Sequence, residues 1–186
     1  MNKFFYLIFI FSSLLITSCN LSTKKMDKSP LMIEKFNLNY YSKSGSKLYM
    51  LETPYSVFNQ SDQSYLFNKT NIKFFDNENI KYNVNSDSAK LRNNKFLELK
   101  GNVKINDFNN DKTIIKSNNL FWVIDKSEFI LEGDVSLVNN YINLSSSKAL
   151  FDKKEDIIKF FNPIKYNYKD AEGVRKYNIS SENAYY

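Results

Sequence analysis

The chain contains no histidine at any of its 186 positions. The commonest general base and a usual zinc ligand are therefore missing. It has a single cysteine, Cys19, so no disulfide can form within the chain. Arginine is almost absent: Arg92 and Arg175 are the only two, and lysine supplies the other 24 of the 26 basic residues. No apolar stripe at helical spacing runs longer than two turns after the first 18 residues, which predicts very little helix. The carboxylates fall mainly in turn-like stretches, Asp76 to Glu78 and Glu155-Asp156, where turn chemistry places them. Asp134 follows Gly133 and reads as a bulge residue before it reads as an acid catalyst. These absences leave no convergent acid and base and no metal or cofactor site, so the chain reads as a non-enzyme. The formal net charge of +6 lies on lysines scattered over turns and solvent faces. With no clustered basic patch, nucleic acid is not an expected partner. The lysines are either a solvated surface or an attraction for anionic lipid or phosphorylated glycolipid.

What the chain does have is aromatic residues, 16 Phe and 13 Tyr, and a repeated pattern. Lys95-Phe96-Leu97-Glu98-Leu99-Lys100-Gly101-Asn102-Val103-Lys104-Ile105 is echoed by Ser127-Glu128-Phe129-Ile130-Leu131-Glu132-Gly133-Asp134-Val135-Ser136-Leu137. With the glycines aligned, Leu97, Leu99, Val103 and Ile105 fall on Phe129, Leu131, Val135 and Leu137. Such alternation marks a strand with one buried face, and the central Gly-Asn or Gly-Asp suits a bulge. A third copy runs through Ile157, Ile158, Phe160 and Phe161, with Asn162-Pro163 in place of the glycine pair.

A second phrase has an apolar residue, then Ser or Thr two positions on, then a small or apolar residue three further. Its copies are Leu51 to Ser56, Val84 to Ala89, Ile115 to Leu120, Leu144 to Ala149 and Ile179 to Ala184. Their spacing averages about 32 residues, in the range of stacked supersecondary units. Each unit reads as two or three short strands joined by polar turns, so the fold class is all-β. The alternation turns Leu99, Val103, Leu120, Trp122, Leu131, Val135 and Leu144 inward. An inward face this rich in large side chains either closes as a core or lines an apolar slot suited to acyl chains.

Met1 to Ser18 reads as a targeting segment, with Lys3 as its positive region and the apolar run from Phe4 to Thr17 behind it. As a helix that run spans about 21 Å, short of the roughly 30 Å hydrocarbon core. A signal peptide therefore fits better than a spanning helix. Ile16-Thr17-Ser18-Cys19 resembles the bacterial lipoprotein box, which makes Cys19 the expected lipidation site. The alternative is an uncleaved anchor reaching about Leu21. Residues 19–30 form the lipidated cysteine and a polar tether, and residues 31–186 a single domain.

The run Ser88-Ala89-Lys90-Leu91, the Gly101 and Gly133 phrases, Leu120-Phe121-Trp122 and Ser147-Lys148-Ala149-Leu150-Phe151 together resemble the LptC family of lipopolysaccharide export proteins. They are also similar to the wider LptA and OstA-like group. The resemblance implies a twisted antiparallel β-jellyroll open at both ends, with lipopolysaccharide or a related glycolipid carried between two sheets. It implies an inner-membrane ABC transporter for that lipid as one partner and an LptA-like periplasmic β-jellyroll as the next. It also implies a periplasmic, membrane-anchored location. Asn20 is not the Asp usual for inner-membrane retention, so the membrane of residence stays open. The last strand phrase, with Ile179, Ser181 and Ala184, is the expected partner edge, available for β-augmentation. The competing reading is a structural or binding envelope lipoprotein with a closed β-sandwich core.

Overall fold

A computed structural model describes residues 30–107, 113–169 and 176–186. The targeting segment, Cys19 and most of the tether lie outside the described residues, as does most of the turn expected between Asp170 and Lys176. Ten strands follow one another: β1 (Leu31–Tyr41), β2 (Lys47–Asn59), β3 (Ser64–Asp76), β4 (Asn79–Arg92), β5 (Phe96–Asp107), β6 (Ile114–Val123), β7 (Glu128–Val138), β8 (Ile142–Asp152), β9 (Ile157–Lys169) and β10 (Lys176–Tyr185). They form one sheet in simple sequence order, every neighbouring pair antiparallel. No helix occurs among the described residues.

The strands are longer than the sequence suggests, at 10 to 14 residues each. Each repeat unit is two long strands, not two or three short ones. The glycine break is the bulge that the pattern suggests, and the strand passes through it. In all six pairs from β4–β5 to β9–β10 the register shifts near the middle. On β5 the pair Gly101 and Asn102 sits at φ +75° and +46°, and on β7 Gly133 and Asp134 sit at +77° and +49°. An extra residue in one strand bends it and sharpens its twist. Asn and Asp tolerate the left-handed conformation better than most residues.

The serine and threonine of the second phrase serve the same bend. In all five copies the hydroxyl donates to the carbonyl two residues on. Thr53 Oγ1 reaches Tyr55 O at 2.9 Å, Ser86 reaches Ser88 at 3.0 Å and Ser117 reaches Asn119 at 2.9 Å. Ser146 reaches Lys148 at 2.8 Å and Ser181 reaches Asn183 at 2.7 Å. Short side chains that bond the nearby backbone offer a local substitute for ladder bonds. The hydroxyl phrase lies on even strands and the positive-φ phrase on odd ones, so the bends line up as a crease across the sheet.

The crease folds the sheet onto its own apolar face. Tyr49 of β2 meets Trp122 of β6 edge-on at 5.1 Å, Phe74 of β3 meets Phe129 of β7 at 5.3 Å, and Tyr82 of β4 meets Phe151 of β8 at 5.2 Å. Each contact joins strands four apart in sheet order, which only folding over can achieve. The architecture is thus one continuous sheet whose halves face each other, where the sequence reading had two sheets. Aromatic contacts at these separations contribute about 0.5–1.5 kcal/mol each beyond buried area.

Candidate functional site

The inner face is the site candidate. All seven residues expected there, Leu99, Val103, Leu120, Trp122, Leu131, Val135 and Leu144, point into the interior, and none is more than 3% exposed. Their strand neighbours alternate outward, as Ile130 beside Leu131 shows. The alternation keeps its parity through the bulge on both strands: Leu99 and Val103 are buried on β5, and Leu131 and Val135 on β7. The apolar face runs from Tyr49 and Leu51 on β2 to Phe160 and Ile164 on β9 as one cluster.

A polar seam interrupts it along the crease, where Thr53, Thr70, Ser86, Ser117 and Ser146 are buried. Four of these hydroxyls are the backbone bridges described above. Thr70 Oγ1 and, on β2, Ser56 Oγ are buried with no hydrogen-bond partner.

Opposite the crease, the two strand-end margins of the folded sheet meet and form a seam of turns. Lys81 Nζ at the start of β4 binds Asp156 Oδ2 in the β8–β9 turn at 2.6 Å, and the Tyr82 hydroxyl donates to the same carboxylate. Beside this clasp, Lys153 lays its ammonium over three rings: Trp122 at 4.2 Å, Phe129 at 4.7 Å and Phe74 at 4.8 Å. Burial pushes its pKa down to about 8, and the nearby Asp152 opposes that only in part. Burial likewise pushes the Tyr49 phenol up to about 12, with Tyr40 and Asp125 adding repulsion to its ionised form. A hollow of about 380 Å³ opens here, lined by Tyr49, Phe74, Lys81, Trp122, Lys153 and Lys154 among others. Sequence reading missed Lys153. Its run Asp152-Lys153-Lys154-Glu155 looks like an ordinary charged turn, and only the fold brings aromatic residues from β3, β6 and β7 beneath it.

At one side of the sheet, β10 pairs with β9 alone. Ile179 is 53% exposed, Ser181 is exposed and Ala184 packs partly against the core. β1 is the other edge strand. Among the described residues there is no group of three or more metal-ligating side chains and no helix long and apolar enough to cross a membrane.

A bulged antiparallel sheet creased and rolled over its own apolar face is a β-jellyroll with an interior of hydrocarbon character. The sequence matches the model of the family described as lipopolysaccharide-assembly, LptC-related, over residues 4–168. The chain belongs to the LptC family and, with it, to lipopolysaccharide transport in the periplasm. Among solved structures it is similar to LptH, the LptA homologous periplasmic component of the lipopolysaccharide transport device from Pseudomonas aeruginosa. That likeness has a TM-score of 0.49 at 9% identity and covers 70% of this chain and 93% of the other. Comparison with curated protein sequences gives no match.

Proposed function

We propose that the chain carries lipopolysaccharide by holding its acyl chains against the inner face, between the two halves of the creased sheet. The observation that carries this reading is the apolar face that runs from β2 to β9 on both sides of the polar seam, in a chain of the LptC family. The halves are packed together through the aromatic contacts across the interior. Loading therefore parts the halves, and acyl methylenes replace the side-chain contacts that are lost. Burial offsets burial at about 25 cal/mol per Å² on each side of the exchange, so entry and exit need not be uphill by much. A carrier that must also release its cargo benefits from that balance.

The lipid arrives from an inner-membrane ABC transporter and leaves to an LptA-like β-jellyroll. Acylated Cys19 and the tether hold the domain at the membrane, with several acyl chains each adding about 0.8 kcal/mol per buried CH₂. The β10 edge, with Ile179, Ser181 and Ala184, takes the next jellyroll by strand addition.

The test is a photo-crosslinker placed at Leu131 or Leu144 and, as control, at outward Ile130. Crosslinks to lipopolysaccharide from the two inward sites and not from Ile130 are the expected outcome. Capture from Ile130 alone would overturn the reading.

A further inference from the structure

Lys153 asks for an explanation that packing does not give. Its ammonium is set into the aromatic end of the interior, and no carboxylate lies within ion-pair distance of it among the described residues. Three ring faces stabilise a cation, but taking an ammonium out of water is costly, and its lowered pKa records that cost. An uncharged side chain of similar length would fill the space over Phe74, Trp122 and Phe129 without this expense.

The neighbouring charges are differently placed. Lys81 is held by Asp156, and Lys154 by Glu155 at 3.5 Å. Asp152 accepts the backbone N–H groups of Lys154 and Glu155 at 2.9 and 3.4 Å, which keeps its carboxyl below the usual range. Asp76 lies at the rim of the hollow. Thus three carboxylates near the seam already have donors, while the Lys153 ammonium has no carboxylate acceptor among the described residues.

The position is equally specific. The hollow sits on the seam where the margins of the creased sheet meet, with the apolar interior beneath it and solvent above. An amphiphile whose acyl chains lie inside must pass its headgroup through this seam. The Lys81–Asp156 clasp joins residues 75 apart in sequence across that gap.

We propose that Lys153, with Lys81 beside it, is the seat for a phosphate group of the carried glycolipid, and that its arrival releases the Lys81–Asp156 clasp. A phosphate presents several charged oxygens to two ammonium groups, where Asp156 presents one carboxylate to Lys81. As Asp156 leaves, the β8–β9 turn is freed and Lys153 lifts off the rings, which opens the seam to the acyl chains. The shared chemistry is a phosphate monoester or free phosphate; the lipid headgroup is the source assigned, because the cation stands over the lipid-facing interior. This inference rests on the lipid-carrier reading above.

The experiment uses Trp122, the only tryptophan in the chain, whose ring lies 4.2 Å from the Lys153 ammonium. Its emission is followed while the wild type, Lys153→Met and Lys153→Arg are titrated with lipopolysaccharide. The same titrations are run with phosphatase-treated lipopolysaccharide and with inorganic phosphate. Charge-assisted bonds of this kind make the expected loss about tenfold in affinity for Lys153→Met with phosphorylated lipid. Lys153→Arg should stay close to wild type, and the dephosphorylated lipid should bind all three proteins alike. The Arg variant keeps the charge, so it answers the question by its own discrimination between the two lipids even if the Met variant fails to fold. Equal binding of both lipids by wild type and variants would overturn the phosphate seat and leave lipid carriage standing. Saturable binding of inorganic phosphate, with no discrimination between the two lipids, would assign free phosphate and overturn the headgroup. Failure of both lipids to bind the wild type would overturn both readings.

Discussion

At the scale of single residues, the crease depends on a few positions with no freedom to vary. A Cβ added at Gly101 would stand 2.6 Å from Asp87 Oδ2, on a backbone at φ +75°. The Asp87 carboxylate is itself engaged, accepting from Asn102 Nδ2 at 2.7 Å. Gly133 repeats the situation, its added Cβ meeting Asn118 at 3.0 Å, while Asn118 donates to Asp134. Both strain and crowding therefore oppose any side chain here. Gly101→Ala is expected to lower unfolding stability by roughly 1–3 kcal/mol, read from the urea midpoint at unchanged slope. A midpoint equal to wild type would mean that the bulge relaxes freely and does not fix the crease.

The elements divide the work between a rigid middle and two edges. Among the described residues, the apolar side chains with no exposure fall on β5 to β9, including Leu99, Ile105, Leu131, Val135, Leu137 and Phe160. Of its described residues, β10 contributes only Ala184 to those packed on the core. It is held by its ladder to β9, and at its end Tyr186 and Ile158 exchange backbone hydrogen bonds at 2.8 and 2.9 Å. An exposed edge with unpaired backbone groups is a template for another strand. Removal of residues 178–186 should thus leave a domain that melts cooperatively and keeps its lipid, while recovery of a jellyroll partner in a pull-down is lost. Loss of the cooperative melt by circular dichroism would show instead that β10 seals the core. Unchanged partner recovery would place the docking edge elsewhere.

For the molecule as a whole, one sheet supplies both the wall and its apolar lining, and the proposed function asks for an anchor at a membrane. The lipoprotein-like Ile16-Thr17-Ser18-Cys19 motivates an acylated anchor. Membrane-bound protein is expected to begin at modified Cys19 by mass spectrometry, and Cys19→Ala to accumulate unprocessed. A mature protein that retains Met1 would show that the apolar run itself is the anchor.

Much of this was legible in residues alone. Alternation of apolar and polar side chains fixes which face is buried, because a strand has a period of two. That is why Leu99, Val103, Leu120, Trp122, Leu131, Val135 and Leu144 lie where the pattern puts them. The five Ser/Thr phrases were visible as a repeat, and so was the Gly-Asn or Gly-Asp break. The break was legible as a bulge, but how far the strands run on through it was not. Strand pairing decided that, and it made long bent strands and one sheet where shorter strands and two sheets were expected. The seam was hidden altogether. Lys81, Asp156, Lys153 and Trp122 come from strands and turns far apart in sequence, and their meeting depends on how far the sheet rolls about its crease. That roll is set by the sum of many small bends and by packing across the interior, which local sequence pattern does not encode.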